Sequence, residues 1–177
     1  MKTSALRILY MGTPDFAVLP LQTLVSNKYN VVGVVTSVDK PAGRGQQISI
    51  SAVKKYAEQA KLPIFQPSNL KSQDFIETLQ SLNIDIIVVV AFRMLPKVVW
   101  QIPSIGTLNL HASLLPQFRG AAPINWAIVH GEKTSGVTSF FINEEIDTGN
   151  IILQKSVDIL ETETAGDLHD KLMNCSS

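Results

Sequence analysis

Cysteine occurs once in the 177 residues, as Cys175. A single thiol excludes an internal disulfide and a cysteine-rich metal site, and so near the chain's last residue it reads as a bystander suited to a reducing compartment. Charge of one sign is missing too: 15 Lys and Arg offset 15 Asp and Glu, for a net charge of +0. The surface as a whole is therefore no magnet for nucleic acid, while a local basic patch stays open because attraction fades within a Debye length of roughly 10 Å. Long apolar runs are absent. None approaches about 18 residues, and the N-terminus MKTSALRILYMG has no long apolar segment ending in a small-residue cleavage site. Neither export nor a membrane span is expected, and the expected location is the cytoplasm.

Several signatures are also missing. After Gly12 no glycine occurs until Gly33, so the first strand-to-helix turn lacks G-x-G-x-x-G and its pyrophosphate cradle, which argues against a nicotinamide cofactor. PAGRGQQ, residues 41–47, is not followed by Gly-Lys-Ser/Thr and is no P-loop. There is no G-x-S-x-G elbow, and no cluster has the spacing of a metal site. No internal repeat, low-complexity tract or interdomain linker stands out.

The chain does have enough apolar residues for a core. At 45% hydrophobic and 17% charged it has the composition of a globular protein, and one domain of this length buries roughly 70% of its unfolded surface. Apolar, β-branched runs recur at residues 6–11, 31–37, 63–65, 85–92, 106–111, 136–142 and 151–157. VLPLQTLVSN, SAVKKYAEQAK and SQDFIETLQSL place apolar residues three and four apart and predict helices between the early strands. This βαβ alternation predicts an α/β fold with a largely parallel sheet and helices on both faces. Ligands of such sheets sit beyond the carboxyl ends of the strands, which directs attention to the turns there.

In GTPDF, residues 12–16, Thr13 is expected as N-cap, Pro14 at the first helical position and Asp15 in the first turn. PAGRGQQ presents Arg44 between two glycines with Lys40 nearby; it reads either as a mobile surface loop or as an arginine offered to phosphate. In NLHASLLP, Asn109 and His111 share one face of a strand end, and both carry donors that could meet one oxygen; a satisfied structural histidine is the competing reading. INEEIDTGNII reads for the most part as a turn between strands, with Asp147 the carboxylate able to orient an imidazole. His130 falls at the end of the predicted helix PINWAIV, where it suits the dipole. His169 lies in an acidic helix opened by a capping box from Thr164 to Asp167.

Four segments, MGTPDFA, DKPAGRG, LNLHASLLPQFRGAAPINWAI and IDTGNIIL, occur in the order that resembles the catalytic domain of the methionyl-tRNA formyltransferases, over residues 6 to about 170. Asn-x-His with SLLP and the later Asp-x-Gly-type turn are shared by the wider group that uses 10-formyltetrahydrofolate. The GRG loop and RGAAP favour the tRNA enzyme over the glycinamide ribonucleotide enzyme. The resemblance implies a Rossmann-like formyltransferase fold, catalytic roles for Asn109, His111 and Asp147, and no metal. It assigns the formyl donor to Phe92, Arg93, Met94, Leu95 and to Ser113, Leu114, Leu115 and Pro116, and initiator methionyl-tRNA to Lys40 and Arg44. Arg93 departs from the glycine that many members carry. Residues 1–177 are expected to be the N-terminal catalytic domain, a truncated chain that ends at NCSS before the family's C-terminal β-barrel domain, and a monomer is the default expectation.

The implied chemistry is attack of the methionyl α-amine on the formyl carbon through a tetrahedral oxyanion, with Asn109 and protonated His111 holding the oxyanion and Asp147 favouring the imidazolium. Two alternatives stay open: a formyltransferase acting on a small amine such as a ribonucleotide or amino sugar, and a folate-binding module without turnover.

Overall fold

The segment RILYMG forms β1 (Arg7–Gly12), buried from Ile8 onward, as expected of a central strand covered on both faces. The computed structural model describes residues 6–42 and 47–176, in two units that meet in sequence between Thr107 and Leu108. The first continues through α1 (Val18–Ser26), β2 (Asn30–Val35), β3 (Lys40–Ala42), β4 (Gln47–Ser49), α2 (Ala52–Gln59), β5 (Ile64–Phe65), α3 (Gln73–Ser81), β6 (Ile86–Val90) and α4 (Lys97–Trp100).

In this unit β1 pairs in parallel with β2 and β6, and β2 with β5, giving the order β5-β2-β1-β6. The chain steps from β1 out to β2 and β5, and then β6 lands on the opposite flank of β1. Connections therefore diverge at the carboxyl ends of β1 and β6, where Gly12 stands beside Val90. That is the switch point at which open α/β sheets bind ligands. Leu9, Tyr10, Met11, Val34, Val35 and Ile87 are fully buried around it. The Tyr10 hydroxyl donates to the Ala17 carbonyl at 2.6 Å, and burial pushes its phenol above the ordinary range.

Two local expectations change. Thr13 is not the cap: extended Pro14 (ψ 177) takes that position without a side-chain cap bond, before a 3-10 turn over Asp15–Ala17. The carboxylate of Asp15 accepts from the Phe16 N–H at 2.9 Å, so the turn is capped from inside. The strand expected over 85–92 ends at Val90, because Ala91 turns into the left-handed region at φ 46. β3 and β4 pair antiparallel, from Lys40 opposite Ser49 to Ala42 opposite Gln47. The chain just before β3 is anchored at Asp39, which binds the Lys54 ammonium and accepts from Gln66 Nε2 at 2.8 Å. These two partners, Lys54 first, hold its carboxyl below the ordinary range.

The second unit takes in β7 (Gly106–His111) from Leu108 onward, then α5 (Pro123–Val129), β8 (Thr134–Phe141), β9 (Ile151–Asp158) and α6 (Ala165–Cys175). Here the pairing is antiparallel, β7 with β8 and β8 with β9. Residues 142–150 between β8 and β9 are too few for the crossover of a dozen or more that a parallel pair requires. α6 buries Leu168 and Leu172, and the predicted capping box forms: Thr164 Oγ1 accepts from the Asp167 N–H and Asp167 from that of Thr164. Ile151, Ile152 and Leu153 of β9 are exposed. Among the described residues no helix is long and apolar enough to cross a membrane.

Candidate active site

Alternation along β7 puts Asn109 and His111 on one face, as the sequence predicts, and the register with β8 sets Asn109 opposite Phe140 and His111 opposite Thr138. His111 is 7% exposed, so its imidazole must find partners within the protein. It has two. Nε2 lies 2.9 Å from the Phe118 carbonyl oxygen, which only accepts, so Nε2 carries a proton. Nδ1 faces Asp147 Oδ2 at 3.6 Å. The ring is thus held between a carbonyl and a carboxylate. Asn109 is half-buried, and among the described residues its carboxamide has no hydrogen-bond partner. On this face, therefore, Asn109 is the uncommitted donor and His111 the committed one.

Asp147 reaches the imidazole by a detour. Because β8 runs antiparallel to β7, β8 ends at Phe141 beside Leu108, three residues short of His111 and about 10 Å along the strand. The 142–150 loop recovers that distance by folding back over the end of β8. Asn143 Oδ1 accepts from the Glu145 N–H at 3.1 Å and the Thr148 hydroxyl at 3.0 Å, and Gly149 passes so close that a Cβ there would stand 1.6 Å from the Phe141 carbonyl oxygen. Asp147 sits at φ 51, a conformation that Asp tolerates better than most residues. Arg119 Nε donates to its carbonyl at 2.9 Å and the Gly120 N–H to Oδ2 at 2.8 Å. The same carboxylate oxygen thus accepts from a backbone N–H and faces the histidine.

The SLLP turn follows directly from His111. Ser113 is fully buried and its hydroxyl donates to the Gln117 carbonyl at 2.6 Å, and the Leu115–Pro116 bond is cis. Phe118 then adopts φ 53, which aims its carbonyl back at the imidazole, while its ring packs on His130 at 5.5 Å. Phe118 and Asp147, the two residues that face the histidine, are both non-glycine residues with left-handed backbone. Each costs on the order of 1–3 kcal/mol, a strain that clusters at functional sites.

The remaining predicted positions divide. Phe92, Arg93, Met94 and Leu95 belong to the first unit and leave its switch point directly. Arg93 is exposed, lies 5.6 Å over the Phe92 ring and donates to the carbonyls of Pro67 and Ser68; Met94 is 75% exposed and Leu95 is buried. Lys40 is exposed on β3, and Arg44 lies outside the described residues. His130 ends α5 as expected, with Nδ1 2.9 Å from the Trp126 carbonyl. Among the described residues no three His, Cys, Asp or Glu side chains are grouped to hold a metal. Sequence reasoning missed Phe118, Arg119, Gly120, Thr138, Gly149 and Gln154. The first three act through backbone groups or a contact with backbone, which residue type does not advertise. For Thr138 the only signal was a hydroxyl within an apolar strand.

Residues 6–176 match the family described as Formyl transferase. Methionyl-tRNA formyltransferase of Flavobacterium johnsoniae is 59% identical over 172 residues, and that of Flavobacterium psychrophilum 61% over 170; these cover 97% and 96% of this chain and 55% and 54% of the relatives. The chain thus spans about half the length of the curated relatives it matches. Glycinamide ribonucleotide transformylase 1 from Symbiobacterium toebii shares the fold at a TM-score of 0.79 and 23% identity, covering 97% of this chain and 82% of that one. WlaRD, a sugar 3N-formyl transferase solved in the presence of dTDP and 5-N-formyl-THF, has a TM-score of 0.71 and 26% identity, covering 96% of this chain and 58% of that one. Rossmann-like architecture, an Asn-x-His strand end met by an aspartate, and a match over nearly the whole length lead to one conclusion: the chain belongs to the formyl transferase family.

Proposed function

We propose that this chain carries the catalytic part of an enzyme that moves the formyl group of 10-formyltetrahydrofolate to the α-amine of methionyl initiator tRNA. The observation that carries the proposal is the uncommitted Asn109 carboxamide on one face with a His111 pinned by Asp147. The relatives named methionyl-tRNA formyltransferase at 59% and 61% identity support the choice of acceptor. The folate is a substrate here and not a resident cofactor, and the reaction uses neither a metal nor a covalent enzyme intermediate.

The neutral amine attacks the formyl carbon and a new C–N bond forms. The carbonyl electron pair moves onto oxygen, then returns to expel N10, and the proton lost by the attacking amine ends on N10. Charge develops on the formyl oxygen, so a preorganised donor contributes most there. Asn109 supplies that N–H. His111 donates its Nε2–H to the Phe118 carbonyl and turns Nδ1 toward Asp147, which fixes the ring beside Asn109 at the same strand end. Asp147, fixed by the Gly120 N–H, holds the imidazole in place and offers an oxygen to the proton in transit.

In this reading the turn of Ser113, Leu114, Leu115 and Pro116 serves the donor, with Leu114 and Pro116 reaching it while the buried Ser113 and Leu115 shape the turn from beneath. Phe92 to Leu95 are proposed for it on separate support within the first unit, their position just past the switch point at Gly12 and Val90. Lys40 and Arg44 are proposed for tRNA phosphate. The reading carries with it a cytoplasmic location and a monomer. The test is transfer of labelled formyl to methionyl-tRNA beside an amino-sugar nucleotide and a ribonucleotide amine. Preference for the tRNA supports the proposal. Faster transfer to a small amine, or donor binding without transfer to any acceptor, overturns it in favour of the other two readings.

A further inference from the structure

Thr138 is fully buried in the middle of β8, with a hydroxyl whose every valence is used. Oγ1 donates to the Ser113 carbonyl at 2.7 Å and accepts from the Leu115 N–H at 3.1 Å and from Gln154 Nε2 at 3.0 Å. One O–H and two lone pairs allow no more. Gln154 Nε2 also donates to the Leu115 carbonyl at 2.9 Å. Gln154 stands on β9, an exposed strand, so turning its amide inward exchanges easy hydration for these two bonds.

The register explains why these two residues reach the turn. His111 pairs with Thr138 across β7 and β8, and Thr138 pairs with Gln154 across β8 and β9. The three side chains form one transverse row, with the histidine at one end and the amide at the other. The turn that leaves His111 passes over this row, and the row takes up both backbone groups of Leu115 and the carbonyl of Ser113. A threonine is stiff at χ1, so its hydroxyl is a fixed post.

We infer that Thr138, braced by Gln154, is the positioning residue of the formyl-donor turn: it sets Ser113–Gln117 and, through that turn, the Phe118 carbonyl on His111. This rests on the reading that the SLLP turn serves the donor. Valine at 138 keeps the shape and strips the hydroxyl, leaving the Leu115 N–H, the Ser113 carbonyl and one Gln154 bond without their partner. Serine keeps the hydroxyl.

Titration of 5-formyltetrahydrofolate onto the full chain reads the effect, with donor KM, acceptor KM and kcat measured beside it. Thr138→Val is expected to weaken the folate about tenfold and lower kcat about tenfold, on the scale of a turn displaced by a fraction of an ångström, with acceptor KM unchanged. Thr138→Ser is expected within about twofold of the parent, and Gln154→Met to weaken the folate about threefold, since half of the brace goes. Should the valine variant not fold, Gln154→Met and Thr138→Ser decide the matter alone. Parent-like folate affinity in Gln154→Met and Thr138→Val, or equal losses in serine and valine variants, overturns the inference and leaves the donor reading intact. Failure of the parent chain to bind folate overturns the donor reading, and this inference with it.

Discussion

The reach of Asp147 toward His111 depends on a glycine that touches neither. At Gly149 a Cβ would stand 1.6 Å from the Phe141 carbonyl oxygen, where real Cβ atoms essentially never come closer than 3.0 Å. Gly149→Ala must therefore move backbone by about 1.4 Å. Phe141 belongs to a strand paired on one side with β7 and on the other with β9, so the 142–150 loop is the part that yields. Asp147 lies two residues away and is held at 2.8 Å from the Gly120 N–H and 3.6 Å from His111 Nδ1. A shift of that size breaks the first contact and changes the second. Misplacing a catalytic group by about 1 Å costs on the order of 100-fold, or about 2.7 kcal/mol of barrier. The expected result is a loss of about 100-fold in kcat/KM for formyl transfer, with near-parental circular dichroism because the loop is at the surface. Gly166→Ala is the control: nearest to its Cβ would be Thr164 Oγ1 at 3.6 Å, within α6, where alanine stabilises by roughly 0.4–1 kcal/mol and activity is expected to hold. A folded Gly149→Ala enzyme within about threefold of the parent would refute the claim that the loop's close pass serves the reaction.

Asn109→Ala is expected to keep the fold and donor affinity and to lower kcat by about 10²–10³-fold, the cost of one oxyanion donor; steady-state kinetics checks it, and a loss under about threefold removes the role. Because His111 and Asp147 share one contact, His111→Ala with Asp147→Ala is expected to be little worse than the poorer single variant, and additive losses in a double-mutant cycle would separate them. Glu163 is held below the ordinary glutamate range by the Lys171 ammonium first and the Leu160 N–H second. A depressed carboxyl stabilises above its unfolded value and loses that contribution as pH falls through the folded one. The Tm advantage of the parent over Glu163→Gln is therefore expected at neutral pH and should vanish in acid; a difference independent of pH contradicts the assignment.

Much of this protein follows from short-range pattern. The seven apolar runs become strands, the three early amphipathic segments become helices, and the Thr164–Asp167 box caps α6, because periodicity and cap chemistry act within a few residues. The same locality put Asn109 and His111 on one face. Strand sense was not legible between β7, β8 and β9, since a period of two is common to parallel and antiparallel strands. Nor was the short hairpin of β3 and β4 visible in a polar, glycine-rich stretch. Above all, the sequence names Asp147 as a carboxylate in a turn, and only tertiary structure decides that it meets a histidine 36 positions earlier. That meeting needs the antiparallel return of β8, the close pass at Gly149, and backbone groups from Phe118 and Gly120, which every residue type carries and composition therefore cannot single out.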